Sequence, residues 1–249
     1  MLLNQSLDYD FDKSIYRVLL LCMLTFFLLP VSQAHDSRTG ENEMTTDILN
    51  IGILIFDEVE VLDFAGPYEV FTMARLQPGV ESRVAGKPAP FNVFTIAKTT
   101  EAIKATGGLS INPDYSFANA PKIDLLLIPG GPGARQMVKD GESLTLPWIE
   151  QLSKQKTQMA SVCTGSLILA KLGLLSGKKA TTHWAALKLL ASMDSSIDVL
   201  AETRFVDDDV ITSAGISAGI DMSLYIVEKL LGLAIAEDTA RVMDYNWSR

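Results

Sequence analysis

One cysteine stands where an apolar strand is expected to give way to a helix. The segment around Cys163 reads ASVCTGS, with an apolar run before the thiol and small residues after it. This order is typical of a nucleophile elbow, a sharp strand-to-helix turn that presents a nucleophile to a cleft. The amino end of the following helix predicts a thiol pKa below its usual value of about 8.5. The alternative is an inert packing residue, because free cysteines are among the most buried residues.

A glycine-rich turn supplies a second candidate. The segment PGGPG, which contains Gly130 and Gly131, directly follows the apolar run IDLLLI. Glycines let backbone N–H groups turn toward a ligand, so these two are candidate donors to an oxyanion or another anion. Their spacing is neither that of a dinucleotide-binding fingerprint nor that of a Walker loop. A tight turn without a ligand is the alternative.

Asp63 is embedded in the apolar stretch VLDFAGP. Apolar neighbours predict partial burial, which raises the pKa of a carboxyl and suits it to donate a proton. Aspartate is also a preferred helix N-cap, and the sequence leaves these two roles evenly balanced.

A fourth group combines His183 with the later loop SAGISAG, which contains Gly215 and Ile216. We expect His183 to pack as a structural residue beside Trp184, and the alternative is that it tunes the thiol or orients a substrate. The loop around Gly215 precedes an apolar helix and is expected to provide backbone contacts near the cleft.

Strands and helix-length segments alternate along the chain, and all four groups follow strand ends. This alternation predicts an α/β fold, a doubly wound sandwich with a mainly parallel central sheet in a single domain. Ligands of such folds bind outside the carboxyl ends of the strands. Strands are predicted at 48–56, 91–97, 123–128, 157–162 and 179–182, hairpins at 105–111 and 203–213, and helices at 59–76, 148–154, 166–172, 184–193, 218–231 and from 236.

The first 34 residues are predicted to be a cleavable signal peptide. A cationic flank, a short apolar core at 18–29 and small residues ending at Ala34 occur in the order that such signals use. The core is shorter than the about 20 residues of a membrane span, although an uncleaved anchor or a buried helix is the alternative. We expect a flexible lead-in at 35–46, a domain at 47–249, secretion or a periplasmic location, and no stable membrane anchor after cleavage.

Composition excludes several classes of protein. The chain has 249 residues, of which 48% are hydrophobic, so general disorder is excluded. Thirty acidic residues against 21 basic ones, without a basic run, argue against a nucleic-acid partner. Two cysteines and two histidines argue against a metal centre, and no cofactor is expected. After the predicted cleavage Cys163 is the one cysteine left, without an intramolecular disulfide partner.

Together these motifs resemble the ThiJ/PfpI superfamily, relatives of the glutamine amidotransferase domain. The resemblance runs from about Asp47 to Gly232 and is closest to the isocyanide (isonitrile) hydratase branch and the ligand-binding domain of AraC-type regulators. It implies a flavodoxin-like sandwich, commonly a homodimer, with Cys163 as nucleophile, Thr164 beside it and Asp63 as the acid. The motifs are VLDFAGPYEVF, LLLIPGGPGARQM, ASVCTGSLILAKLGLLSGKKATTHW and TSAGISAGIDMSLYIVE.

The implied activity is hydration of a small isocyanide to an N-substituted formamide, with a small molecule as the substrate and no cofactor. Thr164 stands where the peptidase-like members carry a histidine, which argues against that activity. Glyoxalase-like hydration of a 2-oxoaldehyde is weakened by Asp63, where those members usually have glutamate, although His183 matches their histidine. An exported binding or redox-sensing protein without turnover is a third hypothesis. Too few residues follow Gly232 for the DNA-binding segment of the regulators.

Overall fold

The computed structural model describes residues 48–83 and 88–247. The predicted signal peptide and lead-in, residues 1–46, lie outside these ranges. Within them, no helix combines the length and the apolar character needed to cross a membrane.

Seven strands form a central, mainly parallel sheet. The strands of the described residues are β1 (Leu49–Leu54), β2 (Phe91–Ala97), β3 (Ile103–Lys104), β4 (Ser110–Ile111), β5 (Tyr115–Ser116), β6 (Leu125–Ile128), β7 (Gln158–Val162), β8 (Lys179–Ala180), β9 (Asp198–Val199), β10 (Phe205–Asp208) and β11 (Val210–Ser213). The order across the sheet is β10-β11-β7-β6-β1-β2-β5, and β10 runs antiparallel to β11 while the other neighbours are parallel. Two small sheets pair β3 with β4 and β8 with β9.

Helices cover both faces of the sheet. They are α1 (Val61–Met73), α2 (Pro132–Asp140), α3 (Thr145–Lys154), α4 (Gly165–Lys171), α5 (Leu187–Met193), α6 (Ala218–Leu231) and α7 (Leu233–Val242). Alternation along β1 divides the core: Ile51 and Ile53 pack into one apolar cluster with α1, α6 and α7, whereas Leu54 packs into the other with α2 to α5. The predicted doubly wound, flavodoxin-like sandwich is therefore confirmed.

The differences from the sequence prediction concern element ends and short strands. The first helix is shorter than the predicted 59–76, and the predicted strand 179–182 contains only the two-residue β8. The predicted helix 184–193 begins as a 3-10 turn, Trp184–Ala186, before α5. Two-residue strands such as β5 and β9 leave too little alternation to be found in a sequence.

The topology places a crevice at the carboxyl ends of the central strands. From β1 the chain moves to β2 on one side, and it later returns to place β6 on the other side. Helices leave the two sides in opposite directions at such a switch point, so a gap opens above β1 and β6. The segments that follow β1, β6, β7 and β11 meet there.

Candidate active site

Cys163 occupies the turn between β7 and α4 in a left-handed backbone conformation, with φ of 56°. Its N–H donates to the carbonyl oxygens of Ala214 at 2.6 Å and Ser213 at 3.2 Å. Its own carbonyl oxygen accepts from the hydroxyls of Thr182 at 2.8 Å and Ser166 at 3.1 Å. Such a conformation costs a non-glycine residue on the order of 1–2 kcal/mol, and these bonds hold it in place. The predicted elbow geometry is confirmed.

Two glycines allow the elbow to press against the turn after β6. A Cβ on Gly165 would lie 2.1 Å from the carbonyl oxygen of Ile128, and one on Gly130 would lie 2.5 Å from the Thr164 nitrogen. Both distances are far inside van der Waals contact, so neither position has room for a side chain. The backbone of PGGPG and the backbone of the elbow therefore form one unit.

Asp63 lies in the first turn of α1 and is fully buried. Its Oδ2 accepts from the Gly130 N–H at 3.0 Å. Its Oδ1 makes no hydrogen bond of good geometry with a described residue, although the Cys163 side chain and the Ile216 N–H lie close enough to lower its pKa. Burial outweighs these contacts and raises the pKa of Asp63 to about 7. The predicted rise is confirmed, and the N-cap alternative is wrong, because Glu60 occupies that position.

The thiol of Cys163 departs from the prediction. Burial, and then the charge of Asp63, raise its pKa to about 12, while the N–H and hydroxyl of Thr164 lower it by less. The predicted low pKa is wrong, because burial of the thiol and the neighbouring Asp63 carboxylate raise the pKa by more than the amino end of a two-turn helix lowers it. At neutral pH the pair therefore consists of a neutral thiol beside a carboxyl that exchanges its proton near pH 7.

The two candidate anion-binding glycines already have partners. The Gly130 N–H donates to Asp63, and the Gly131 N–H donates to Thr164 Oγ1 at 3.0 Å. Thr164 is itself buried, and its hydroxyl lies 3.3 Å from the Gly131 carbonyl oxygen. In this arrangement both N–H groups position side chains of the site, so neither is left free for an oxyanion.

The ring of His183 lies against the backbone of Gly215. A Cβ on Gly215 would come within 2.3 Å of the His183 ring, so the ring rests on that backbone. His183 Nδ1 accepts from the Ala185 N–H at 3.3 Å. Burial, and then the charge of Arg135, lower the pKa of His183, which keeps the ring neutral. The strongest influences on the Cys163 pKa come from its burial, Asp63 and Thr164, and His183 is not among them.

The sequence prediction missed two residues and two charges. The hydroxyls of Thr182 and Ser166 donate hydrogen bonds to the carbonyl oxygen of Cys163. Their positions in the motifs ATTHW and CTGS were the sequence signal that could have identified them. The charge of Glu60 contributes to the raised pKa of Asp63, and Arg135 acts on His183. Glu60 precedes Asp63 by only three residues, so its proximity was readable from the sequence, whereas only the fold brings Arg135 near His183.

No group of three or more His, Cys, Asp or Glu residues in 48–83 and 88–247 is arranged to hold a metal ion. A cavity of about 600 Å³ lies beside the site, lined by segments after β1 and β2 and by α2, and its lining does not include Cys163 or Asp63. The site itself is formed by side chains and backbone groups of the elbow, α1 and the PGGPG turn.

Fold and site together define a flavodoxin-like α/β protein with a buried cysteine at a nucleophile elbow. The sequence profile of the DJ-1/PfpI family matches residues 50–229, and the chain belongs to that family. An isonitrile hydratase from Pseudomonas putida is 35% identical over 198 residues, covering 79% of this chain and 78% of that enzyme.

Other relatives show how varied the family is. The HTH-type transcriptional regulator GbdR of Pseudomonas aeruginosa is 26% identical over 196 residues. That match covers 79% of this chain, which spans half the length of the regulator. A crystal structure of a ThiJ/PfpI family protein from Pseudomonas syringae superposes with a TM-score of 0.68 at 26% identity, covering 91% of this chain and 85% of that one. The family therefore includes both enzymes and regulators.

Proposed function

We propose that this protein is an isocyanide hydratase-like enzyme with Cys163 as its nucleophile. The observation that carries the proposal is the buried Cys163 thiol at a strained elbow, facing Asp63, whose pKa is raised to about 7. A group with such a pKa accepts and returns a proton with little cost near neutral pH. The similarity to an isonitrile hydratase supports the same chemistry.

The first step joins sulfur to the isocyanide carbon. The Asp63 carboxylate accepts the thiol proton as sulfur attacks the terminal carbon, so a free thiolate need not accumulate against its high pKa. The carbon gains a C–S bond and then takes the proton from Asp63. The product is a thioimidate, in which the nitrogen substituent, the new C–H bond and the sulfur share one carbon.

The second step releases the formamide. Water adds to the thioimidate carbon while Asp63 accepts one of its protons, and the nitrogen gains a proton. The C–S bond then breaks, the sulfur recovers its proton, and an N-substituted formamide leaves. Thr164 and the PGGPG turn position the pair, and we place the substrate beside the loop of Gly215 and Ile216 and beside His183. No cofactor enters either step.

Turnover of cyclohexyl isocyanide tests the proposal. We expect formamide production by the purified protein, none by Cys163→Ala, and a rate lower by about 10²-fold or more in Asp63→Asn, because that variant loses its acid–base group. Glu69→Gln changes an exposed carboxylate on the same helix and should leave the rate unchanged. Full turnover by Cys163→Ala would end the proposal.

A binding protein without turnover is the second candidate. It is favoured by the burial of Cys163 and by its pKa of about 12, which make a poorly reactive thiol. This candidate predicts ligand-induced thermal stabilisation with no product from isocyanides. The glyoxalase-like alternative is tested in parallel with methylglyoxal, from which we expect no lactate.

We also propose that the protein is exported and acts as a homodimer on a small molecule. The order of charge, apolar core and small residues before Ala34 supports export, and the family resemblance supports the dimer. Mass spectrometry of the mature amino terminus tests cleavage after Ala34. Light scattering in solution tests the dimer, and a monomeric mass would contradict it.

A further inference from the structure

The cavity beside the site has the volume and the apolar lining of a small-molecule binding site. Its volume is about 600 Å³, within the range of roughly 300–1,000 Å³ found for small-molecule sites. Buried apolar side chains of Ile55, Ile103 and Met137 contribute to its floor. Phe117 also lines it, and stacking of that ring on Trp148, at 4.1 Å between centroids, fixes its position.

Carboxylates dominate the charge of this cavity. One of the acids, Glu142, is held by the N–H groups of Thr145 and Leu144 and lies 3.5 Å from Lys98. Burial raises the pKa of Glu142, but those contacts outweigh burial and bring the pKa below its ordinary value. Five carboxylates thus face a single lysine among the lining residues, which are Asp57, Glu58, Glu101, Asp140 and Glu142 against Lys98.

Two of these carboxylates have no ion-pair partner among the described residues. Glu58 and Glu101 are exposed, and neither forms an ion pair with a residue in the described ranges. Glu58 is also held in a left-handed conformation, with φ of 59°, by backbone bonds to Lys104 and Gly133. The rim of the cavity therefore carries an excess of negative charge, because Lys98 pairs with Glu142 and leaves Glu58 and Glu101 without an ion-pair partner in the described ranges.

We propose that this cavity binds a small organic cation, an amine or a quaternary ammonium group that carries an apolar substituent. The apolar floor would bury the substituent, and the carboxylates would hold the charged head at the rim. The face of an aromatic ring such as Phe117 adds attraction for a cation. The same charges repel an anion, and a neutral ligand gains binding free energy only by burying its apolar part against the apolar side chains of the cavity.

The lining of the cavity does not include Cys163, and the loops after β1 and β6 make close backbone contact at the edge of the cavity. A Cβ on Gly133 would lie 2.0 Å from the Asp57 carbonyl oxygen, and one on Gly131 would lie 2.4 Å from that of Glu58, so two loops touch here. Glu58 and Gly133 in these loops line the cavity, whereas the N–H that binds Asp63 belongs to Gly130, which does not. Binding in the cavity therefore requires neither the thiol nor hydratase activity.

Three probes of one shape and different charge test the proposal. Benzylamine, benzyl alcohol and benzoate are titrated calorimetrically into the full-length protein at about pH 7.5, at low salt and at about 0.5 M NaCl. We expect benzylamine to bind about tenfold or more tightly than benzyl alcohol, with the difference reduced by salt, and benzoate not to bind. Equal affinities for all three would overturn the proposal.

Variants identify the site and the sign of the effect. Glu101→Gln should weaken benzylamine binding roughly threefold, and Lys98→Gln should strengthen it by a similar factor, because exposed charges act weakly. Ala102→Trp fills the lining at an exposed position and should abolish binding, whereas Leu109→Trp, also exposed but outside the lining, should not. Cys163→Ala should bind normally. Loss of binding in Cys163→Ala, or normal binding in Ala102→Trp, would place the ligand elsewhere.

Discussion

The buried carboxyl of Asp63 gives the sharpest prediction, because it links the proposed chemistry to the stability of the fold. Its pKa is 3.8 in the unfolded chain and about 7 in the folded protein. The folded state therefore binds this proton more tightly than the unfolded state, and the stability that results is fully present below about pH 4. It is lost as the pH rises through about 7.

The size of this loss follows from the same two values. A difference from 3.8 to about 7 corresponds to roughly 4 kcal/mol at 1.36 kcal/mol per pKa unit. Asp63→Asn keeps an oxygen that accepts from the Gly130 N–H but carries no charge at any pH. We expect it to stabilise the protein by roughly that amount at about pH 8, and by almost nothing at about pH 4.

Thermal unfolding between about pH 4 and pH 9 measures this difference. For a domain of this size, roughly 4 kcal/mol raises Tm by about 8–16 °C, so the two melting curves should diverge as the pH rises through 7. Asp124→Asn is the matched control. Hydrogen bonds from Lys122 and the Asn50 N–H lower the pKa of Asp124, so its loss should destabilise the protein above about pH 4. A Tm difference for Asp63→Asn that does not vary with pH would refute the reasoning.

Three further predictions concern the elbow. At about pH 8, iodoacetamide should modify Cys163 roughly a thousandfold more slowly than an ordinary thiol, because a pKa of about 12 instead of 9.0 leaves less thiolate. Mass spectrometry measures the rate of modification, and the rate of an ordinary thiol would contradict the burial argument. Gly130→Ala should cost several kcal/mol in urea unfolding, because its Cβ would lie 2.5 Å from the Thr164 nitrogen, whereas Gly141→Ala, with nothing within 4 Å, should cost about 1 kcal/mol from backbone strain alone. Thr182→Val removes the hydrogen bond from the Thr182 hydroxyl to the Cys163 carbonyl oxygen. We expect it to lower stability by about 1 kcal/mol and the kcat for cyclohexyl isocyanide by about tenfold. An unchanged kcat would show that this hydrogen bond does not position the thiol.

The sequence predicted the fold well where elements are long and patterned. The apolar runs at β1, β6 and β7 and the helical spacing of α6 were found within a few residues of their observed ends. The two-residue strands β5 and β9 were missed because hydrogen bonding to a neighbouring strand, and no local sequence pattern, defines them. Helix α2 was not predicted, because it begins inside the glycine-rich PGGPG segment at Pro132 and ends before Gly141, which is in a left-handed conformation.

The candidate site shows where prediction from residues ends. Cys163 and Asp63 were identified by their apolar neighbours and by their position after strands. Their electrostatics were predicted for Asp63 and missed for Cys163, because the desolvation of a thiol depends on everything that packs around it. The hydrogen bonds that the Gly130 and Gly131 N–H groups donate could not be predicted either, because their acceptors lie far away in the sequence.

The observed site combines two features that each lower the stability of the fold. A left-handed cysteine costs on the order of 1–2 kcal/mol, and a buried carboxylate costs roughly 4 kcal/mol above pH 7. Neither feature is needed to pack the core, since Asn at position 63 would fill nearly the same space and Gly at position 163 would adopt the left-handed conformation without that cost. Costs of this kind, concentrated where two strand ends meet, are expected at a site that exchanges protons and forms covalent bonds. A protein that only bound its ligand would gain nothing from a carboxyl that changes its charge at neutral pH, and this asymmetry favours turnover over simple binding at Cys163.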